Sequence, residues 1–154
     1  MLEIKKVLFK ENVCLNLKAK TKDEAIQEMV QMLYDNGIVS DKEEFVKEIY
    51  RREEEGITGL EEGIAIPHGK SAVVKKSAIA VGRTSTDITD WKSFDDKPIR
   101  CIIMFAIRDV DMSEHIILLS HVSEKLLDKD VIEVLHKAQT VEEITKVLGG
   151  KEVA

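Results

Sequence analysis

Two unbroken apolar runs constrain this chain more than anything else in it: Ala78-Ile79-Ala80-Val81 and Cys101-Ile102-Ile103-Met104-Phe105-Ala106-Ile107. A strand with one wet face alternates apolar and polar residues, whereas a strand covered on both faces shows no alternation. These runs therefore predict the centre of a sheet with helices on each side. The segments around them supply the helices. Thr21-Lys22-Asp23-Glu24, Ser40-Asp41-Lys42-Glu43, Asp111-Met112-Ser113-Glu114 and Thr140-Val141-Glu142-Glu143 each set an oxygen-bearing side chain three residues ahead of a carboxylate, the capping-box pattern that opens a helix. Ile26, Met29, Val30 and Leu33 follow the first at helical spacing and stop at Asn36-Gly37. Phe45, Val46, Ile49 and Tyr50 follow the second, and His115, Leu119, Val122 and Leu126 the third. A further helix is expected from Val131 to Ala138 with His136 on its surface, and the last is expected to close at Gly149-Gly150. Val13, Leu15 and Leu17 alternate with Cys14 and Asn16 and predict a first strand, while residues 1–12 carry no pattern. Residues 84–98 are expected as a loop with at most one short edge strand. The fold class is α/β: a single domain over 1–154, core about 13–148, with a mixed central β-sheet flanked by helices on both faces.

Composition enters by exclusion. No apolar run approaches the ~18 residues that a membrane span needs. The Met-Leu-Glu-Ile-Lys-Lys start lacks the layout of a secretory signal, so a cytoplasmic protein is expected. A formal net charge of -6 argues against nucleic acid, which needs a basic face. Cys14 and Cys101 sit in apolar, strand-like surroundings and are expected as buried free thiols of a reducing compartment. Cys and His show no metal-ligand spacing, and neither a metal nor a cofactor is expected.

The chemistry gathers at Gly63-Ile64-Ala65-Ile66-Pro67-His68-Gly69-Lys70. Ile64 and Ile66 flank Ala65 with the period of an extended segment, which Pro67 should end by removing a donor. His68 is then wedged between a rigid residue and Gly69, which permits unusual dihedrals. Alone, it fits a satisfied structural histidine as well as a positioned nucleophile or base. Gly56 to Gly63 holds three glycines in eight residues, a flexible loop or a set of amides turned to a ligand. At ~100° per residue, Arg51 points away from the Phe45–Tyr50 face while Arg52 lies on its flank and can lean inward. His115 falls in the first turn of its helix on the inward stripe, as a satisfied core histidine or a functional one. His121 is six residues on and cannot pair with it around a metal. A phosphate loop is excluded, because five residues separate Gly63 from Gly69 where that motif needs four. No Gly-x-Ser-x-Gly elbow supports a serine hydrolase. Phosphoryl transfer through histidine fits better. A neutral imidazole is nucleophilic near pH 7, and Arg52, the first turn around His115 and loop amides could hold phosphoryl oxygens.

The segment from Thr58 to Lys70 resembles the active-site signature of enzyme IIA proteins of the bacterial phosphoenolpyruvate-dependent sugar phosphotransferase system, fructose/mannitol class. Asp90-Trp91 with Asp95-Asp96-Lys97-Pro98-Ile99 looks like that family's loop before its central strand, and His115-Ile116-Ile117-Leu118-Leu119-Ser120 like its second-histidine helix. The similarity runs in order from about Leu15 to Leu148. The resemblance implies a IIA type-2 domain and a phosphotransferase. It implies that His68 accepts a phosphoryl group from the histidine phosphocarrier protein and passes it to a cysteine on the IIB component of a sugar permease. His115 is then the second active-site histidine and Arg52 the phosphate-facing arginine, with Thr58 and Gly59 as further phosphate ligands through hydroxyl or backbone. Contact with the membrane would be only indirect, through the IIB/IIC permease. Family members often carry a proline-containing loop where this chain has Arg108-Asp109-Val110-Asp111. Ile57, Leu60 and Trp91 are candidates for an apolar docking patch around His68. Two other readings stay open: a regulatory, nitrogen-type IIA module, and a ligand-binding α/β domain with incidental histidines.

Overall fold

The computed structural model describes residues 3–149. In chain order the elements are α1 (Ile4–Val7), β1 (Leu8–Leu17), α2 (Lys22–Asp35), α3 (Lys42–Glu53), β2 (Ile64–Ala65), β3 (His68–Ser71), β4 (Ala78–Ile88), β5 (Ile99–Arg108), α4 (Met112–Lys125), α5 (Lys129–Lys137) and α6 (Val141–Gly149). One five-stranded mixed sheet runs β1-β4-β5-β2, with β3 also on β5. β1 is parallel to β4, β4 antiparallel to β5, and β2 and β3 parallel to β5.

The unbroken runs are the central strands β4 and β5, and each feeds two cores. Ala78, Ala80, Ile102, Met104 and Ala106 turn to α2 and α3, against Ile26, Met29, Leu33, Phe45 and Ile49. Ile79, Val81, Ile103, Phe105 and Ile107 turn to the other face, against Leu118, Val122, Leu135 and Leu148. Helices cover both faces as expected, and no helix among the described residues is long and apolar enough to cross a membrane.

Several local expectations need correction. β1 starts at Leu8 rather than Val13, preceded by α1, because its outer part pairs with Ile79 of β4. β4 runs on to Ile88, so residues 84–88 are strand and not loop. Ser85, Thr86 and Asp87 are exposed there, while Thr84 and Ile88 are buried. Cys14 is only half-buried, though both cysteines are free. At α2 the Thr21 hydroxyl accepts from the Glu24 amide at 3.2 Å, but Glu24 turns back to the amide of Lys20 rather than of Thr21. α3 is capped by Asp41, which accepts from Glu44, and not by Ser40. Asp111 makes no side-chain cap for α4: its carboxylate binds Arg108 at 3.0 and 3.1 Å and Ser77 at 2.9 Å. The box at α6 is reciprocal between Thr140 and Glu143. His136 is half-buried, its ring nitrogen 2.6 Å from the Glu62 carbonyl, rather than a free surface residue. Gly150 lies outside the described residues.

Candidate active site

The chain does not leave the sheet at Pro67. Ala65 pairs with Ile102 and His68 with Phe105, three residues on in both strands, so β2 and β3 keep one register on β5. Pro67 removes a donor, yet its carbonyl still accepts from Phe105 at 3.0 Å. His68 is therefore the first residue of a resumed edge strand and not the end of a strand. Strand side chains alternate. His68 and Lys70, opposite Phe105 and Ile107, share the α4 side, while Gly69 faces α3.

Gly69 acts through its size and not through an unusual dihedral; the positive-φ glycines are Gly37 and Gly63. A Cβ on Gly69 would lie 3.1 Å from Phe45 Cε1, 3.3 Å from Ile49 Cδ1 and 3.4 Å from Glu48 Cβ. Its absence lets α3 lie close on the sheet edge. Arg52, in the last turn of α3, then reaches round that edge, and its Nε donates to His68 Nε2 at 3.0 Å. Its Nη1 donates to the Gly56 carbonyl at 3.2 Å. His68 Nδ1 lies 3.0 Å from the Ile66 carbonyl. A carbonyl only accepts, so Nδ1 carries the proton and Nε2 the lone pair.

The second imidazole comes from the opposite layer. His115, in the first turn of α4, sets its ring 5.0 Å from that of His68, centroid to centroid, at 61°. Phe105 closes the other side, edge-on at 6.3 Å. Both histidines are 7% exposed, and His115 Nε2 is buried with no hydrogen-bond partner among the described residues. Burial holds the His68 imidazolium below its usual range; Arg52 and Lys70 push the same way, against the Ile66 carbonyl and Glu53. Burial, then His68, Lys70 and Arg52, push His115 down to about 4. Near neutral pH the pair is thus two uncharged rings, one with its lone pair facing a guanidinium. A cleft of about 170 Å³ opens on them, lined by Arg52, His68, Lys70 and His115 with Glu48, Arg51 and Glu55. Arg51 is exposed and pairs with those carboxylates, at 2.8 Å to Glu48 and 3.6 Å to Glu55.

Thr58 and Gly59 are not brought to this cleft. The Thr58 hydroxyl is buried, donates to Glu53 Oε2 at 2.6 Å and accepts from the Trp91 indole N–H at 3.3 Å. Gly59 makes bridges to Ala65 and Ser93, and a side chain there would strike the backbone of Lys92. The loop expected to be flexible is thus tied down. Trp91 is core and not docking patch, Leu60 is half-buried, and of the three proposed patch residues only Ile57 is exposed. Val110 and Ile116 are the exposed apolar residues flanking His115 in the chain.

Sequence reasoning passed over two features. Lys70 was readable from strand parity, two residues after His68 and on the same side. The Lys22–Glu53 ion pair, 2.7 Å, anchors the end of α3 beside Arg52; no local pattern links residues so far apart. No group of three His, Cys, Asp or Glu among the described residues could hold a metal ion.

The family model described as "Phosphoenolpyruvate-dependent sugar phosphotransferase system, EIIA 2" matches residues 6–150. The chain is 34% identical over 147 residues to the PTS system fructose-specific EIIABC component of Bacillus subtilis, covering 96% of this chain and 23% of that protein. It thus spans about a quarter of the length of the first curated relatives it matches, 23% in each. It is 32% identical to the PTS system fructose-specific EIIA component of Haloferax volcanii, over 90% of this chain and 89% of that one. Among solved structures, nitrogen regulatory protein IIA-Ntr of Neisseria meningitidis superposes with a TM-score of 0.85 at 27% identity, over 94% of this chain and 98% of that one. Enzyme IIA mannitol of Escherichia coli, in its complex with phosphorylated enzyme IIB mannitol, gives 0.76 at 31% identity, over 92% and 96%.

Proposed function

The chain belongs to the EIIA 2 family of the phosphoenolpyruvate-dependent sugar phosphotransferase system, whose members are phosphotransferases acting through a phosphohistidine, and from that premise we propose that His68 carries the phosphoryl group on Nε2. The observation that supports this is the tautomer. Ile66 holds the proton on Nδ1, which leaves the lone pair on Nε2, where it accepts from Arg52 at the cleft. The donor is the histidine phosphocarrier protein. Its phosphorus–nitrogen bond breaks, leaving the electron pair on the donor nitrogen, while the His68 Nε2 lone pair forms the new bond. The proton stays on Nδ1 throughout, donated to the Ile66 carbonyl.

In the resting state Arg52 occupies the lone pair that must attack. Arg52 gives up this bond as phosphorus approaches and turns its donors to the phosphoryl oxygens, where charge-assisted bonds are stronger. His115 contributes a neutral ring whose buried Nε2 is free to share a proton with those oxygens. Onward transfer is to the IIB cysteine: the thiolate bonds phosphorus, and the electron pair of the breaking bond returns to Nε2. The complex of enzyme IIA mannitol with its phosphorylated IIB supports this partner class. Ile57, Val110 and Ile116 are the apolar contacts such a partner would cover, and the protein meets the membrane only through the IIB/IIC permease, from the cytoplasm. The likeness to IIA-Ntr favours a second reading, in which the phosphorylation state of the same site controls a partner protein.

The test is incubation with phosphoenolpyruvate and the purified upstream carriers. Wild type should take label and His68→Ala none; label at His115 or His121 in that variant would overturn the assignment. His115→Gln should keep acceptance in part and slow onward transfer to IIB. Arg52→Ala should shorten the phosphohistidine lifetime and slow transfer; wild-type values would remove its role. Transfer to a IIB cysteine separates the transport reading from the regulatory one.

A further inference from the structure

We propose that Lys70 is a second cationic ligand of the phosphoryl group, gripping it from the side opposite Arg52; this rests on His68 being the phosphorylated residue. The resting cleft gives Arg52 two partners, His68 and the Gly56 carbonyl. It gives the Lys70 ammonium none: no carboxylate pairs with it and no carbonyl accepts from it among the described residues. Lys70 as a residue is half-buried, and its ammonium has no counter-ion among the described residues beside two nearly buried imidazoles, so an anion in the cleft would complement it. Glu48 and Glu55 line the same cleft but are held by Arg51, so they do not compensate it.

The strand aims Lys70 at the site. His68 and Lys70 are two apart on β3, about 6.6 Å along the strand, with side chains on one side because Phe105 and Ile107 opposite them both face the α4 layer. The four-carbon stem of lysine spans that gap. Arg52 approaches from α3, on the other layer, so the two cations reach a group on His68 Nε2 from different directions. That matches a tetrahedral group with three acceptor oxygens better than two donors on one flank. The field of Lys70 acts on both rings, helping to keep each uncharged in the resting state.

Lys70→Met and Lys70→Arg are compared with wild type in the labelling assay. Lys70→Met should lower the rate of phosphohistidine formation and shorten its lifetime, each about tenfold, the share of one charge-assisted bond. Lys70→Arg should restore most of both. Ring titration of the unphosphorylated protein by NMR is the readout that a merely structural role would not move. His68, which also feels Arg52 and Glu53, and His115, which also feels His68 and Arg52, should both titrate at higher pH in Lys70→Met. Wild-type rate and lifetime in Lys70→Met, or Lys70→Arg failing as badly as Lys70→Met, would overturn the proposal. If Lys70→Met melts early, Lys70→Gln, which keeps a polar stem, takes its place with the same outcomes. Absence of label on wild type would instead overturn the reading of His68, and is distinct from a labelled wild type indifferent to Lys70.

Discussion

On the face covered by α2 and α3, β4 presents Ala78, Ala80 and Gly82, and a side chain at Gly82 would run into Met29 and Leu17. On the opposite face the same strand presents Ile79 and Val81, and β5 adds Phe105 and Ile107. On the first face β4 is small and the helices are large, so the helices come close there, although Ile102 and Met104 of β5 add bulk; on the second both strands carry it. At the β3 edge both arrangements meet, Gly69 facing one layer and His68 the other. The close layer brings the guanidinium, and the bulky layer props the two rings against each other. The difference teaches that this site is a property of neither face, and that its parts answer to different kinds of packing.

That contrast can be broken at its bulkiest point. Phe105→Ala should cost about 3–5 kcal/mol, transfer plus cavity, in urea denaturation. It should also lower phosphoryl acceptance by freeing the His68 ring; a loss below about 1 kcal/mol would show that this face does not depend on strand bulk. Next in size is the buried second imidazole. With His115 at about 4 in the fold and its ordinary 6.5 when unfolded, the unfolded chain takes the proton first. Stability is then full above about pH 6.5 and falls as pH drops towards about 4, by up to about 3 kcal/mol. His115→Gln should flatten that slope in melts run across this window, and an unchanged slope would place the titration elsewhere.

The close layer is tested by Gly69→Ala. The backbone there tolerates alanine, but the methyl group must displace Phe45 and Ile49 by a few tenths of an ångström. We expect a stability loss of about 1 kcal/mol with a disproportionate, severalfold drop in transfer as Arg52 is carried away from His68. Equal falls in both would mean that helix proximity does not set the Arg52 bond. The smallest effect belongs to Arg51→Ala. It should leave transfer rates at wild-type values where Arg52→Ala does not, because Arg51 is engaged with Glu48 and Glu55 at the surface.

How much of this was readable from the chain depends on how local each cause is. The two buried runs declare themselves because burial on both faces leaves a mark on every residue of them. Arg52 could be told from Arg51 by helix angle alone. The start of α3 was misplaced because Ser40 and Asp41 each sit three residues before a glutamate, and only packing chooses between overlapping boxes. The resumption of strand at His68 was hidden because Pro67 reads as a stop, while the register is dictated by β5, more than thirty residues away. Thr58 and Trp91 look available to ligand or partner; the bonds from Trp91 to Thr58 and from Thr58 to Glu53 depend on separate segments meeting. Thr84 to Ile88 look like loop by polarity, because three successive residues in the strand, Ser85 to Asp87, are exposed and carry no apolar signature.

The position of β3 has a consequence for self-association. An outer strand offers unmatched amides and carbonyls to any passing chain, and natural sheets guard such borders with prolines and inward-facing charges. Here Pro67 deletes one donor just before β3 begins, and Lys70 sets an ammonium within it. The residues that equip this border for phosphorus therefore also make it a poor template for a second copy to zip onto, so reactivity and resistance to fibre growth are served by the same few side chains.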